Sequence, residues 1–473
     1  MRRHGPELLL LAAFAATRLV ARAFFGLRFD SDVRHYWHVL DYPLLREDLS
    51  RSILYLHDQP PLYNLALGMV LKWVPAPLAS PVFEAAFLVL GYLGIAGIYA
   101  LLVELGTPRG AALAAALLQT LSTTWLVYES WLFYTLPTAA LMTWAAVWLA
   151  RATRGSAAAA TAFAAAVAGL SWIRATYQPV WVAAALALLL VAVRTSASGV
   201  RVSARRAALA ALVLAIALPV KNWLLVGSVA SSTWLGMNLA HMTTEHLDEA
   251  TREQWIAAGE ISAVARVRAF APLTEYPENL RAPLAAAPAH PALTAPLKSE
   301  GSPNLNHSAY VGIARAYQAA ALVVIERPPD VYLDRVRRAL VTWLRPPTDY
   351  IQVVPLREAV AGWDRLHSRL LLWSSLERRR DGPTLVLVPA AVLFLAALLF
   401  RSHAERRRLS LLLAFPLLAI GWNASVGNLV DVEENNRFRV EVEGLIVALG
   451  CWGLIECLRL ARGAYRRAGS GTS

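Results

Sequence analysis

Apolar runs of eighteen residues or more recur along this chain, and no other feature narrows its fold so far. Coiled into a helix, a run of that length matches the hydrocarbon core of a bilayer. The runs are rich in Ala and Leu and do not alternate with period two, so helices are expected rather than the strands of a barrel. Composition agrees, with 57% hydrophobic residues, 16% charged residues and a mean hydropathy of +0.45. The expected fold class is all-α, a polytopic helical membrane protein of about 10 transmembrane helices. Spans are expected over 7–25, 82–104, 111–128, 132–150, 156–172, 178–193, 207–226, 384–400, 409–422 and 441–458. The apolar piece 62–74 is shorter, an interfacial helix or a half-span.

A net charge of +12 would suggest nucleic acid in a soluble chain, but most of the arginines lie between the apolar runs. The expected partner is the bilayer, with no nucleic acid. If 62–74 does not span, one side receives Arg2 and Arg3, Arg109, Arg151 and Arg154, Arg194, Arg201, Arg205 and Arg206, Arg401, Arg406 to Arg408, and Arg459 to Arg467. The positive-inside rule makes that side cytoplasmic, with both termini on it. Loops 26–81, 129–131, 173–177, 227–383 and 423–440 then share the outer face, where most carboxylates and histidines lie. Arg378, Arg379 and Arg380 are the exception, on the outer side before the eighth expected span. The first run, Leu8 to Phe25, reads as a retained signal anchor, because Arg18 and Arg22 interrupt it and no small-residue cleavage site precedes Asp30.

Three parts follow: a transmembrane module 1–226 carrying the first outer loop 26–81, an outer-face region 227–383, and a transmembrane module 384–473 with a basic tail. Within 227–383 the Pro/Ala-rich centre 281–303 reads as irregular, and 308–325 and 330–344 as amphipathic helices of a cap on the membrane face. Cys451 and Cys457, six apart in the last run, fall on different helix faces and form neither a disulfide nor a metal site.

The chemistry-bearing residues gather on the outer face. Asp30 and Asp32 follow the first span, and a helix begun there would put Asp32 and Tyr36 on one face. Either carboxylate could cap a helix, serve as a general base or ligate a cation. Glu129 adds a third acid at a membrane boundary. For a phosphate, the cations on the same side are Arg174, Lys221, Arg437 and Arg439, whose competing role is interfacial snorkelling. His57 is a metal ligand, a substrate contact or a structural histidine. Pro60 and Pro61 force Gln59 out of helix and let a new element begin at Pro61.

These positions resemble the GT-C superfamily of membrane glycosyltransferases, in the bacterial branch that includes protein O-mannosyltransferases, the lipid A aminoarabinose transferase and rhizobial core glycosyltransferases. The resemblance rests on Asp32 with Tyr36, on His57-Asp58-Gln59-Pro60-Pro61-Leu62-Tyr63, on Pro219-Val220-Lys221-Asn222, and on Asn436-Arg437-Phe438-Arg439-Val440-Glu441-Val442-Glu443. It implies an inverting transfer of a sugar from a polyprenyl-phosphate donor to a glycolipid, cell-envelope or protein acceptor, on the periplasmic face of a bacterial inner membrane. Asp32, Asp30 and Glu129 are then the expected catalytic acids. Tyr36, His57, Gln59, Tyr63, Arg174, Lys221, Asn222, Arg437 and Arg439 are the expected substrate contacts. A divalent metal is left open and its ligands unassigned. Two alternatives stand beside this reading: a transporter or flippase of lipid-linked sugars, and a ligase or polymerase using a lipid-diphosphate donor.

Overall fold

The computed structural model describes residues 5–285, 287–371 and 403–469, and they form helices joined by turns, with isolated bridges in place of sheets. Among the described residues six helices are long and apolar enough to cross a membrane: Gly5–Phe25, Ala76–Glu104, Ser198–Val226, Ala309–Glu326, Leu409–Val430 and Asn435–Arg462. A seventh crossing results if Arg109–Thr120 and Thr123–Glu129 count as one span. The chain is thus a multi-pass helical membrane protein. The expected spans also call for Thr135–Ala152, Ala157–Ile173 and Pro179–Ala192, which are 18, 17 and 14 residues long, whereas Ala309–Glu326 was not among them. The eighth expected span, 384–400, and Arg378 to Arg380 lie outside the described residues.

The expected span 111–128 is broken by a 59° bend at Leu121 and Ser122. Thr120, Ser122, Thr123 and Thr124 crowd this point, and such side chains offer the backbone alternatives to its own ladder. A break inside a bilayer needs partners for the carbonyls it frees. Arg18 donates to the Thr120 carbonyl at 2.6 Å and Trp363 to that of Leu121 at 2.8 Å. The helix Ala76–Glu104 approaches this region along a small-residue face, as close packing between spans requires. A Cβ at Gly91 would overlap the Glu129 carboxyl, and one at Gly94 the Trp125 ring.

The short piece 62–74 forms the helix Leu62–Trp73, whose 12 residues are too few to cross. It starts after Pro61, where the proline pair was expected to start it. At one end of the bundle Glu104 pairs with Arg151 and Arg154, and Arg459 donates to the Gly106 carbonyl. At the other end the first loop and the cap form one body. Lys298 donates to the carbonyls of Arg34 and Tyr36 at 2.8 and 2.9 Å, and Asn306 accepts from the His57 amide at 2.9 Å.

The helices expected over 308–325 and 330–344 form as Ala309–Glu326 and Pro329–Leu344; the first, expected as an amphipathic cap helix, is apolar enough to be one of the six candidate spans. The first packs against Leu235–Met242 so closely that Gly236 admits no side chain against the Ala314 carbonyl. Trp234, Met237, Phe270, Tyr276, Tyr310 and Tyr317 fill the core between them.

Candidate functional site

No helix begins at Asp32. Asp30 bridges to Trp131, its amide donating to Ser130 at 2.7 Å and its carbonyl accepting from Leu132 at 2.9 Å. Its carboxylate accepts the Asp32 amide at 3.1 Å, a local bond that competes with helix. The chain then runs through tight turns closed by Tyr36 on Val33 and Val39 on Tyr36. Asp32 and Tyr36 therefore do not share a helix face, which corrects the sequence expectation. Asp32 is exposed and held by Arg34 at 2.8 and 2.9 Å, while Tyr36 is buried and accepts from Trp131 Nε1 at 2.9 Å. Arg34 holds the Asp32 carboxyl below its usual value, so it stays ionised. Burial, with Asp30 and Asp32 nearby, pushes the Tyr36 phenol up to about 12.

Beneath this loop lies a cavity of about 210 Å³ walled by the first loop, the cap and the last two helices. A second lobe of about 230 Å³ adjoins it, sharing Trp37, His38 and Glu434 and adding Tyr36, Trp131 and Tyr350. Two guanidiniums converge in the first lobe. Arg174 donates to the Tyr134 hydroxyl at 2.7 Å and Arg437 to the same oxygen at 3.1 Å. Each has its own carboxylate: Glu441 lies 2.7 Å from Arg174 and Glu434 pairs with Arg437. Aromatic faces enclose both cations, with Phe438 at 4.3 Å from Arg174 and Phe133 at 5.0 Å from Arg437.

Burial pushes His38 down to about 3, so the ring between the two lobes is a neutral imidazole. Asp431 and Glu434 are coupled in opposite directions. Burial and the neighbouring Glu434 raise Asp431, while the Arg437 charge overcomes burial and holds Glu434 low. Among the described residues, the two non-glycine positions with left-handed backbone, Phe270 at φ +62° and Glu433 at φ +90°, both line the cavity. Strained backbone of this kind concentrates at functional sites.

The expected site residues fall into three places. Tyr36, Gln59, Arg174 and Arg437 line the two lobes, with Asp30 and Asp32 close to Tyr36. His57, Tyr63, Lys221 and Asn222 stand behind the lining and brace it. His57 Nδ1 meets Thr233 Oγ1 at 3.0 Å, Asn222 donates to the His57 carbonyl at 3.3 Å, Lys221 donates to that of Leu56, and Tyr63 donates to that of Leu132 at 2.9 Å. Glu129 and Arg439 sit within the bundle with their own partners, Arg18 for the first and Glu443 and the Trp343 carbonyl for the second.

Trp37, His38, Trp234, His241, Phe270 and Asp431 were not singled out in the sequence although all line the cavity. Asp431 and Glu434 lie within six residues of Arg437, the one local signal available. Asp58, beside Gln59, was also passed over. Burial pushes its carboxyl up to about 7 against the opposing charges of Lys298 and Lys221.

Among the described residues no group of three or more His, Cys, Asp or Glu side chains could hold a metal ion, and Asp32 is already engaged by Arg34.

No family model and no curated protein matches the chain. Among solved structures it is similar to the archaeal oligosaccharyltransferase AglB from Archaeoglobus fulgidus, determined in complex with an inhibitory peptide and a dolichol-phosphate. The identity is 12% and the TM-score 0.38, over 98% of this chain and 52% of that one. The chain thus spans about half the length of that structure.

Proposed function

We propose that this chain is a membrane glycosyltransferase moving a sugar from a polyprenyl-phosphate donor to an acceptor on the outer face of a bacterial inner membrane. The observation that supports this most is the pair Arg174 and Arg437, meeting on the Tyr134 hydroxyl at the wall of a cavity roofed by the first loop. Buried cations in a membrane bundle are expensive and tend to be functional, and guanidiniums suit phosphate oxygens. In this reading module 1–226 supplies the first loop and Arg174, region 227–383 closes over them, and module 384–473 supplies Arg437.

The acceptor hydroxyl oxygen attacks the anomeric carbon as the bond to the phosphate oxygen breaks on the opposite face, inverting that centre. Asp32, kept ionised by Arg34, takes the hydroxyl proton. The phosphate leaves with the bonding electrons, and Arg437 and Arg174 stabilise its growing charge once it has displaced Glu434 from Arg437. Asp30 holds the turn that presents Asp32, and Gln59 and Tyr36 contact the sugar.

The test is sugar transfer by the purified chain, reconstituted in lipid, from radiolabelled polyprenyl-phosphate sugars. Loss of a general base slows turnover on the order of a hundredfold to ten-thousandfold, and Asp32→Asn is expected to do so with donor binding intact. Asp30→Asn is expected to cost less. Full turnover in Asp32→Asn removes it as the base, and no consumption of any polyprenyl-phosphate sugar by the wild type removes the reaction.

A further inference from the structure

The helix Pro329–Leu344 carries a further concavity that abuts the cavity. Arg335, Arg338 and Thr342, with Arg345 just past the helix end, follow the three- and four-residue spacing of one face. With Arg337 and Val341 they line a groove of about 340 Å³ whose far wall is Val432 and Glu433. Four guanidiniums thus surround one groove, against Asp334, which pairs with Arg335, Arg337 and Arg338, and Glu433. Arg335 Nε is buried without a hydrogen-bond partner.

Beside the groove, Leu333 and Leu340 share a helix face and are uncovered at 59% and 44% exposure, and the exposed Arg337 separates them from Val341 at 46%, which also lines the groove. The opposite face of the helix is fixed to the bundle: Ala339 and Trp343 are buried, Trp343 donates to Asn423 at 2.9 Å, and Tyr332 donates to the Leu429 carbonyl at 2.9 Å. A helix with one anchored face, one apolar face and a basic face between apolar edge and water has the form of an interfacial helix on anionic lipid. Val432 and Glu433 are common to this groove and to the cavity beside Arg437, so whatever the arginines hold sits next to the proposed reaction.

We propose that this groove binds the phosphate headgroup of an anionic lipid and so docks a phosphate-bearing lipid acceptor beside the cavity. The acyl chains lie along Leu333, Leu340 and Val341, the phosphate oxygens take the guanidinium hydrogens, and the rest of the headgroup passes Glu433 into the cavity. The acceptor role rests on the transferase reading above; the binding does not.

The test uses the full chain in detergent, with bound lipid counted by native mass spectrometry. The probes are dioctanoyl phosphatidic acid, dioctanoyl phosphatidylcholine and inorganic phosphate. Arg338→Gln/Arg345→Gln changes exposed side chains only, and Arg205→Gln/Arg206→Gln is the control on another exposed basic stretch. Wild type is expected to prefer phosphatidic acid to both other probes. Losing charge-assisted contacts should weaken that binding about tenfold to a hundredfold in the Arg338/Arg345 variant and leave the control unchanged. Equal binding by both variants, or equal binding of phosphatidylcholine, overturns the proposal. Inorganic phosphate bound as tightly as the lipid makes the groove a free-anion site and overturns the lipid assignment. In the transfer assay the Arg338/Arg345 variant is expected to raise the acceptor KM and leave the donor KM unchanged. Phosphatidic acid selectively lost from that variant while no sugar is transferred keeps the dock and removes the transferase.

Discussion

Among the described residues, two buried arginine–carboxylate groups, Arg18 with Glu129 and Arg437 with Glu434, differ in what remains for a ligand. At the bend below Ser122, Arg18 places Nε and Nη2 on Glu129 at 2.7 and 2.5 Å and Nη1 on Thr120 and Thr17. Each guanidinium nitrogen has a partner there, and the packed Gly91 and Gly94 face leaves no space beside it. Beside the cavity, Arg437 shares Tyr134 with Arg174, pairs with the half-buried Glu434 and leaves Nε unpartnered. Both groups pay for burial, but the first is closed and the second opens onto empty volume. In a membrane bundle, then, a buried ion marks a site only where a cavity reaches it.

The closed pair gives the largest effect. Removing one partner of a buried pair costs about 3–5 kcal/mol, because the other is left uncompensated. Arg18→Met is therefore expected to lower the unfolding temperature in detergent sharply, while Arg18→Met/Glu129→Met recovers most of the loss. Turnover per folded molecule is expected to be unchanged in Arg18→Met. Lost turnover with stability intact would bring Glu129 into the chemistry and dissolve the contrast.

Within the last helix the same contrast separates two arginines that look alike in sequence. Arg437 faces the cavity, whereas Arg439 is committed to Glu443 at 3.4 Å and the Trp343 carbonyl at 3.1 Å. A charge-assisted contact contributes about 1.5–3 kcal/mol, or about tenfold to a hundredfold in affinity. Arg437→Gln is expected to raise the donor KM by that factor, and Arg439→Gln to lower stability with little change in donor KM. Equal donor KM in Arg437→Gln and wild type would return Arg437 to a structural role.

Hydropathy made the helical membrane fold legible. The break at Leu121 was not legible, because an apolar window averages over a bend whose carbonyls are satisfied from Arg18 and Trp363. Of the residues named in the sequence, Arg174 and Arg437 stood out as cations beside apolar runs and Tyr36 and Gln59 came with the family resemblance, and all four line the cavity lobes. His241 and Phe270 could not be found in either way. They reach the cavity only through the folding of a cap that has no motif of its own, and Phe270 gets there by a left-handed backbone that no residue-type preference announces. Arg437 and Arg439 alternate in sequence, yet Cα-level spacing does not say which faces a cavity.

The smallest effect sharpens the contrast through pH. Arginine stays charged across the working range, so the Arg18 pair responds only through its carboxylate, but the cavity wall also carries His241, which pairs with Glu245 behind it at 2.9 Å. Burial works against the His241 imidazolium, yet the Glu245 hydrogen bond and charge, helped by Asp431 and Glu433, raise its pKa above the usual value. Burial likewise opposes ionised Glu245, but His241, the Ala269 amide and Arg268 bring it below its usual value. His246 is the other titratable neighbour, and burial lowers it. The sign follows from which form each state favours. The raised His241 contributes stability that is fully present below about 6.5, the unfolded imidazole value, and is lost as pH rises through the folded value. The lowered Glu245 contributes stability present above about 4.3 and lost as pH falls through its folded value. An i,i+4 pair of this kind is worth below about 1 kcal/mol, so the difference in unfolding temperature between wild type and Glu245→Gln is expected to be small. It should be widest near pH 5 to 6 and shrink as pH rises toward 8.5. A Glu245→Gln gap that stays constant to pH 8.5 would mean that His241 is neutral throughout.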